Sequence, residues 1–231
     1  MVSLNLSHNS LIGPLPRTLG CLTNLTLLSL ASNQINGSIP LEIGNMRKLR
    51  HLDLHNNSLA GLIPSTIGCL TELVFLDFSV NNLVGSIPPY LGHSTNLRYL
   101  DIHSNQINGS INSTIADLLL LEKLDLSSNY ISGIIPLELS QLAQLRYLNI
   151  SLNKLSGNGF SLKAISVLDL SHNNLSELYW ISHKLEEHQW WNESSKKEKR
   201  RCKTCVSIHW IKLQCSVLYI GRIEAGKGKQ K

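Results

Sequence analysis

Leucine returns along this chain at one fixed interval. Leu4, Leu28, Leu52, Leu76, Leu100, Leu124 and Leu148 stand 24 residues apart, and Leu168 follows after a shortened unit of 20. Asparagine recurs five residues after each of them, at Asn9, Asn33, Asn57, Asn81, Asn105, Asn129, Asn153 and Asn173. One unit places apolar side chains at Leu28, Leu30, Ile35, Ile39, Ile43, Met46 and Leu49; the next repeats them at Leu52, Leu54, Leu59, Ile63, Ile67, Leu70 and Leu73. Leu-x-Leu alternates with period two and predicts a short strand, its leucines inward and the intervening residues outward. The Asn that follows can satisfy main-chain groups in a turn, which makes the eight a structural column. Gly13, Gly37, Gly61, Gly85, Gly109, Gly133 and Gly157, followed in most units by an aliphatic–proline pair such as Ile63-Pro64, predict tight bends and irregular turns with at most short helices on the far side.

No single unit can bury seven aliphatic side chains alone, so successive units must stack. Each buried Leu or Ile contributes about 1.5–3 kcal/mol, which gives a coil roughly 10–20 kcal/mol before conformational entropy opposes it. Stacking sets the Leu-x-Leu strands side by side in one parallel sheet.

The run Leu-x-x-Leu-x-Leu-x-x-Asn-x-Leu-x-Gly-x-Ile-Pro, as it stands from Leu49 to Pro64, resembles the plant-specific leucine-rich repeat of receptor-like kinases and receptor-like proteins. The resemblance covers residues 1–178 and implies a right-handed horseshoe solenoid with a concave parallel sheet. It also implies a receptor on the extracellular side of the plasma membrane or in the apoplast, and binding of a peptide or protein ligand or a co-receptor of the same repeat type. Several positions depart from the pattern: Asn112 replaces a Pro, Ser94 a core aliphatic, and the seventh unit reads Gly157-Asn158-Gly159-Phe160 and is four residues short. The cysteine-paired caps of that family are absent, no signal-peptide pattern opens the chain, and neither a membrane span nor a kinase follows the repeats. The expectation is a fragment of a receptor ectodomain, joined to a membrane only through parts outside it.

Net charge of +5 suggests a nucleic-acid partner until it is divided along the chain. Residues 179–231 hold 12 Lys or Arg and 5 Asp or Glu, a net +7, leaving 9 − 11 = −2 for residues 1–178. The solenoid is thus not basic, and nucleic acid is not an expected partner. Cys21 and Cys69 share a place in the repeat but lie two coils apart, about 10 Å, beyond disulfide reach, and are read as buried thiols.

Outward strand positions form three columns: His51, Phe75, Tyr99, Lys123, Tyr147; Asp53, Asp77, Asp101, Asp125, Asn149; and His55, Ser79, His103, Ser127, Ser151. Aromatics on a rigid sheet give large contact area at small entropic cost. The aspartates admit two readings, a structural or solvated column and recognition of a basic peptide. Nine glycosylation sequons begin at Asn5, Asn24, Asn36, Asn56, Asn108, Asn112, Asn149, Asn174 and Asn192. None lies within 74–80, 98–104 or 122–128, so a glycan-free window centred on Phe75, Asp77, Tyr99, Asp101, His103, Lys123 and Asp125 is the expected ligand-binding surface.

Past Leu178 the period stops, and all four Trp of the chain appear: Trp180, Trp190, Trp191 and Trp210. This basic tail, 179–231, is read as atypical or disordered. Its run Lys196–Arg201 is compatible with a solvated segment or a nuclear-import signal, and Cys202, Cys205, His209 and Cys215 approach a zinc-knuckle spacing without matching it. Residues 205–220 are too interrupted by His209, Lys212 and Gln214 to span a bilayer. No nucleophile with a base, no recurring metal constellation and no phosphate loop is singled out, so no catalytic, metal or cofactor residue is assigned and the chain is not read as an enzyme; a kinase of a parent receptor would lie outside it. The runner-up function is a secreted inhibitor similar to the polygalacturonase-inhibiting proteins.

Overall fold

The computed structural model describes residues 2–158, 162, 164–177 and the backbone of 211–212. Within them each 24-residue unit is one coil. Its first strand (Ser3–Asn5, Leu27–Ser29, His51–Asp53, Phe75–Asp77, Tyr99–Asp101, Lys123–Asp125, Tyr147–Asn149, Val167–Asp169) joins a single parallel sheet in sequence order. Register is set by the period: Leu28 stands between Leu4 and Leu52, and Leu124 between Leu100 and Leu148. Ile211–Lys212 adds a further parallel strand beside Val167–Asp169, with Ile211 opposite Leu168. The tail features read from the sequence at Trp180, Trp190, Trp191, Trp210, Lys196–Arg201, the cysteines and Asn192 lie outside the described residues, as do Gly159 and Phe160 of the short unit.

Past the Asn, each chain turns into a second short strand. Ile12–Pro14, Gln34–Ser38, Ser58–Leu62, Asn82–Gly85 and Gln106–Ile107 form one flanking parallel sheet, and Ser132–Ile134, Lys154–Asn158 and Asn174–Glu177 another. The Pro then starts a five-residue 3-10 helix, as in Ser65–Cys69 after Pro64. Where Asn112 replaces that Pro, its side chain takes over the start of the helix Ser113–Asp117 by accepting the Thr114 N–H at 3.0 Å. Side by side, these helices leave no room for a side chain at Gly68, where a Cβ would stand 2.1 Å from the Tyr90 carbonyl oxygen.

Leu and Ile at the inward positions form one continuous buried core, with Leu28, Leu52, Leu100 and Leu124 fully enclosed. Ser94 is enclosed too, and its hydroxyl finds no partner. Cys21 and Cys69, expected as buried thiols, are exposed. The correction has a local cause: each ends a 3-10 helix, and the residue turned inward there is the neighbouring Gly20 or Gly68.

A polar spine runs beside the core. Asn57 donates from Nδ2 to the carbonyls of Leu54 and His55 in its own coil and Leu30 in the previous one, while its Oδ1 accepts the Ile35 N–H at 3.0 Å. Asn81, Asn105, Asn129, Asn153 and Asn173 repeat this bridge, Asn33 makes it to Leu6 and Leu11, and Asn9 keeps only the bonds to its own coil. Immediately before each Asn the backbone is left-handed, with φ between +53° and +55° at His8, Ser32, Asn56, Val80, Ser104, Ser128, Leu152 and His172.

Candidate functional site

One residue before each ladder leucine, the first outward column is continuous. His51 and Phe75 stack with ring centroids 4.1 Å apart and planes 8° from parallel; Phe75 and Tyr99 stack at 4.2 Å and 15°. The Lys123 ammonium extends the row, 4.4 Å from the Tyr99 ring centre and 5.1 Å from that of Tyr147. Parallel in-register strands hold such side chains at the spacing of stacked rings. The faces of Phe75 and Tyr99 are therefore spent on their neighbours, and ring edges are what face the solvent.

Asp77, Asp101 and Asp125, counted among the contact residues from the sequence, lie mostly beneath that surface, 7%, 2% and 6% exposed. In each coil Oδ1 accepts the N–H two residues on: His55 to Asp53, Ser79 to Asp77, His103 to Asp101, Ser127 to Asp125. It also holds that residue's side chain, as in His103 Nδ1 to Asp101 at 2.7 Å and Ser79 Oγ to Asp77 at 2.6 Å. The remaining oxygen of Asp101 accepts from Lys123 Nζ at 2.9 Å and Tyr99 Oη at 3.2 Å, and that of Asp125 from Tyr147 Oη at 3.1 Å.

These bonds set the charges. Burial would raise the Asp101 carboxyl, but hydrogen bonds from His103 and Lys123 and the lysine charge outweigh it and hold it at about 2. Burial would likewise depress Lys123, yet its bonds to Tyr99 and Asp101 keep it above the ordinary lysine range. Burial pushes the Tyr99 phenol up to about 12, and Tyr147 upward for the same reason. His103 is raised by its bond to Asp101, whereas His51 is lowered by burial against Phe75, only partly offset by Asp53 and Asp77.

The structure thus brings Phe75, Tyr99 and Lys123 together in a half-buried row beside a bed of Asp77, Asp101 and Asp125, with His103, also half-buried, in the column on the other side of that bed. It also adds His51, His55 and Tyr147, which the columns contained but the window did not. A margin of exposed arginines, Arg50, Arg98 and Arg146, stands one residue ahead of the row in alternate coils and was not singled out from the sequence, although the same spacing marks it. Arg98 pairs with Glu122 at 2.5 Å; Arg50 and Arg146 have no ion pair among the described residues.

The sequons separate by surroundings. Asn5, Asn24, Asn36, Asn56, Asn108 and Asn174 are exposed. Asn112 is half-buried, and Asn149, also half-buried, has both amide atoms engaged, Oδ1 by Ser151 and Nδ2 with Asp125.

A stack of short parallel strands, a spine of bridging asparagines and 3-10 turns on the opposite side define a leucine-rich-repeat solenoid. The chain belongs to the leucine-rich repeat family: family models described as Leucine rich repeat match residues 95–155, and as Leucine Rich Repeat residues 1–22, 24–46, 48–70 and 72–94. Receptor-like protein 34 of Arabidopsis thaliana is 42% identical over 50 residues, 22% of this chain and 5% of that protein. The fold is similar to the ectodomain of the Arabidopsis thaliana receptor kinase GASSHO1/SCHENGEN3, solved in complex with CASPARIAN STRIP INTEGRITY FACTOR 2, with TM-score 0.69 and 32% identity, covering 78% of this chain and 26% of that one. It is also similar to the Arabidopsis receptor kinase HAESA in complex with the peptide hormone IDA and the co-receptor SERK1, with TM-score 0.60, 32% identity and coverage of 78% and 37%. The chain thus spans 26% and 37% of these two solved ectodomains and 5% of the curated relative. Among the described residues no helix is long and apolar enough to cross a membrane.

Proposed function

We propose that residues 1–178 are the recognition segment of a plant cell-surface receptor, which binds a peptide or protein ligand, or a co-receptor of the same repeat type, on its concave sheet. The observation that carries this reading is the unbroken row from His51 to Tyr147, five side chains stacked or paired at 4.1–5.1 Å. A row already ordered by its own contacts loses little side-chain entropy when a partner covers it, which is the condition that favours a binding hot spot. Because the ring faces are occupied, the row suits main-chain and side-chain groups laid across ring edges better than sugar rings stacked on faces.

The contact residues are Phe75, Tyr99, His103 and Lys123; Asp101 fixes Tyr99, His103 and Lys123 from below, and Asp77 and Asp125 lie in the same bed, held by Ser79 and Ser127. No sequon falls within 74–80, 98–104 or 122–128, so glycans would leave Phe75, Tyr99 and Lys123 clear; the exposed Asn56 borders the His51 end of the row, and Asn149 at the other end has its amide engaged. The parent protein then stands on the extracellular side of the plasma membrane or in the apoplast, and any kinase belongs to its other parts.

The test is to immobilise the full chain, capture partners from extracellular peptides and proteins of the source tissue, and repeat with Phe75→Ala/Tyr99→Ala. A partner lost by tenfold or more, with an unchanged circular dichroism melt, is expected; loss of about 2 kcal/mol or more is typical of hot-spot aromatics. A partner bound equally well by both forms sinks the proposal. A captured pathogen hydrolase would instead select the secreted-inhibitor reading.

A further inference from the structure

Two groups on the strand face, Asp53–His55–Asp77 and Asp101–His103–Asp125, repeat each other two coils apart, and the polar atoms within each lie within 4.8 Å of one another. The row beside them treats the two differently. In the second group Lys123 Nζ sits 2.9 Å from Asp101 Oδ2, and Tyr147 donates to Asp125 Oδ2 at 3.1 Å. In the first group the corresponding residues are Phe75, which has no donor, and Tyr99, whose hydroxyl turns instead to Asp101 at 3.2 Å. Asp53 Oδ2 is left with the Ser29 hydroxyl at 3.3 Å. Asp77 Oδ2 has no donor at all among the described residues, although Asp77 is only 7% exposed.

Asp77 Oδ2 keeps a narrow opening to solvent, since Ser94 Oγ is the one fully enclosed polar side-chain atom without a partner among the described residues. A carboxylate oxygen that is mostly covered, lacks a protein donor and is open on one side invites a positive charge from outside. Burial raises the Asp77 carboxyl, with the charges of Asp101 and Asp53 adding to it against the Ser79 hydrogen bonds. Two coils further on, the equivalent of Asp53 receives an ammonium from its own chain, Lys123 on Asp101, and the equivalent of Asp77 receives the hydroxyl of Tyr147 and the amide of Asn149 on Asp125.

We propose that Asp53, His55 and Asp77 form a subsite for an organic cation of the ligand, a lysine or arginine side chain, which takes the place that Lys123 fills in the second group. The proposal rests on the reading of the strand face as a peptide-binding surface and names one chemical requirement of the ligand. An ammonium or guanidinium needs only the free lone pairs of the two Oδ2 atoms, and its methylenes can lie against Phe75. A divalent metal is less suited. His55 Nδ1 is engaged with Asp53 Oδ1 at 2.8 Å and Asp77 Oδ1 holds two donors of Ser79, so chelation would have to break bonds that an ammonium leaves intact.

The full chain is titrated with N-acetyl-arginine amide and N-acetyl-lysine amide, with N-acetyl-norleucine amide as the uncharged control, following the His55 ring protons by NMR. Saturable shifts with both cations, none with norleucine and at least a tenfold weaker response in Asp77→Asn are expected. Phe75→Lys should fill the subsite from within and abolish the response, while Lys123→Met should open a second site read at His103. Equal shifts with norleucine, unchanged affinity in Asp77→Asn, or a response to calcium or zinc ions alone would each overturn the subsite. If the cation probes are silent while Phe75→Ala/Tyr99→Ala still loses its captured partner, only the subsite falls; if the probes bind while that double variant keeps its partner, the peptide-binding surface is what fails.

Discussion

Lys123 and Tyr99 are joined twice, through a 2.9 Å hydrogen bond from the ammonium to the phenol oxygen and by the same ammonium lying 4.4 Å from the ring centre. The lysine thereby continues a row of aromatic rings through the one strand, between Phe75 and Tyr147, that has no aromatic at this position. It also neutralises Asp101, which among the described residues no other cation contacts except His103 when protonated.

Removing that carboxylate should therefore be costly. Asp101→Ala leaves the Lys123 ammonium half-buried without its counter-charge and the His103 N–H groups without an acceptor. We expect a loss of about 2–4 kcal/mol in urea unfolding, against less than about 1 kcal/mol for breaking the exposed Arg98–Glu122 pair by Glu122→Ala. Equal effects would show that the buried pairing is not what holds this part of the sheet.

The two outermost histidines of the site should titrate in opposite senses. His103 has a folded-state pKa above its unfolded value, so its contribution to stability is complete below the unfolded value and is lost as pH rises through the folded one. His51, depressed by burial, contributes fully above the unfolded value, and its contribution falls away as pH drops through its lower folded value. NMR titration should find the His103 ring protonating above pH ~6.5 and His51 below it. The reverse order would contradict the geometry of both.

Ser94 occupies the place filled by Met46, Leu70, Leu118 and Leu142 in other coils, all of them buried. Its enclosed hydroxyl has no partner, so Ser94→Ala removes an unmet polar group without adding volume. A gain of about 1 kcal/mol is expected from chemical denaturation. Destabilisation would mean that the hydroxyl is satisfied in solution.

Val80 is the one β-branched residue among the left-handed turns, at φ 55°. Asn56, which fits that conformation, stands in the same place one coil earlier. Val80→Asn should raise stability by about 1 kcal/mol. By contrast, Gly68→Ala would force a methyl into the Tyr90 carbonyl and should cost at least about 2 kcal/mol. Paired melting curves check both signs.

The coil, its strand and its core were legible because an inward position every 24 residues can be recognised by hydropathy alone. The row from His51 to Tyr147 was legible for the same reason, since residues at the same place in successive coils must become neighbours. What the period could not reveal is what those neighbours do to each other. Asp77, Asp101 and Asp125 occupy outward positions and are charged, yet backbone N–H groups two residues on draw them down, a competition between local hydrogen bonds and solvent that polarity does not encode. Cys69 misled in the opposite direction, because a residue type usually found inside sits next to a glycine that takes the inward place. The turn before each Asn left no sequence signal, with Val80 and Leu152 in the same conformation as Asn56 and Ser104.

The asparagine spine gives the stack a direction. For Asn57 the inter-coil partners are Leu30 and Ile35, 27 and 22 residues earlier, and the later members of the column reach back in the same way. A coil leaving the ribosome therefore finds its docking groups already synthesised and waiting. The solenoid can zip up behind the growing chain, in the order in which it is translated, without needing its far end to exist.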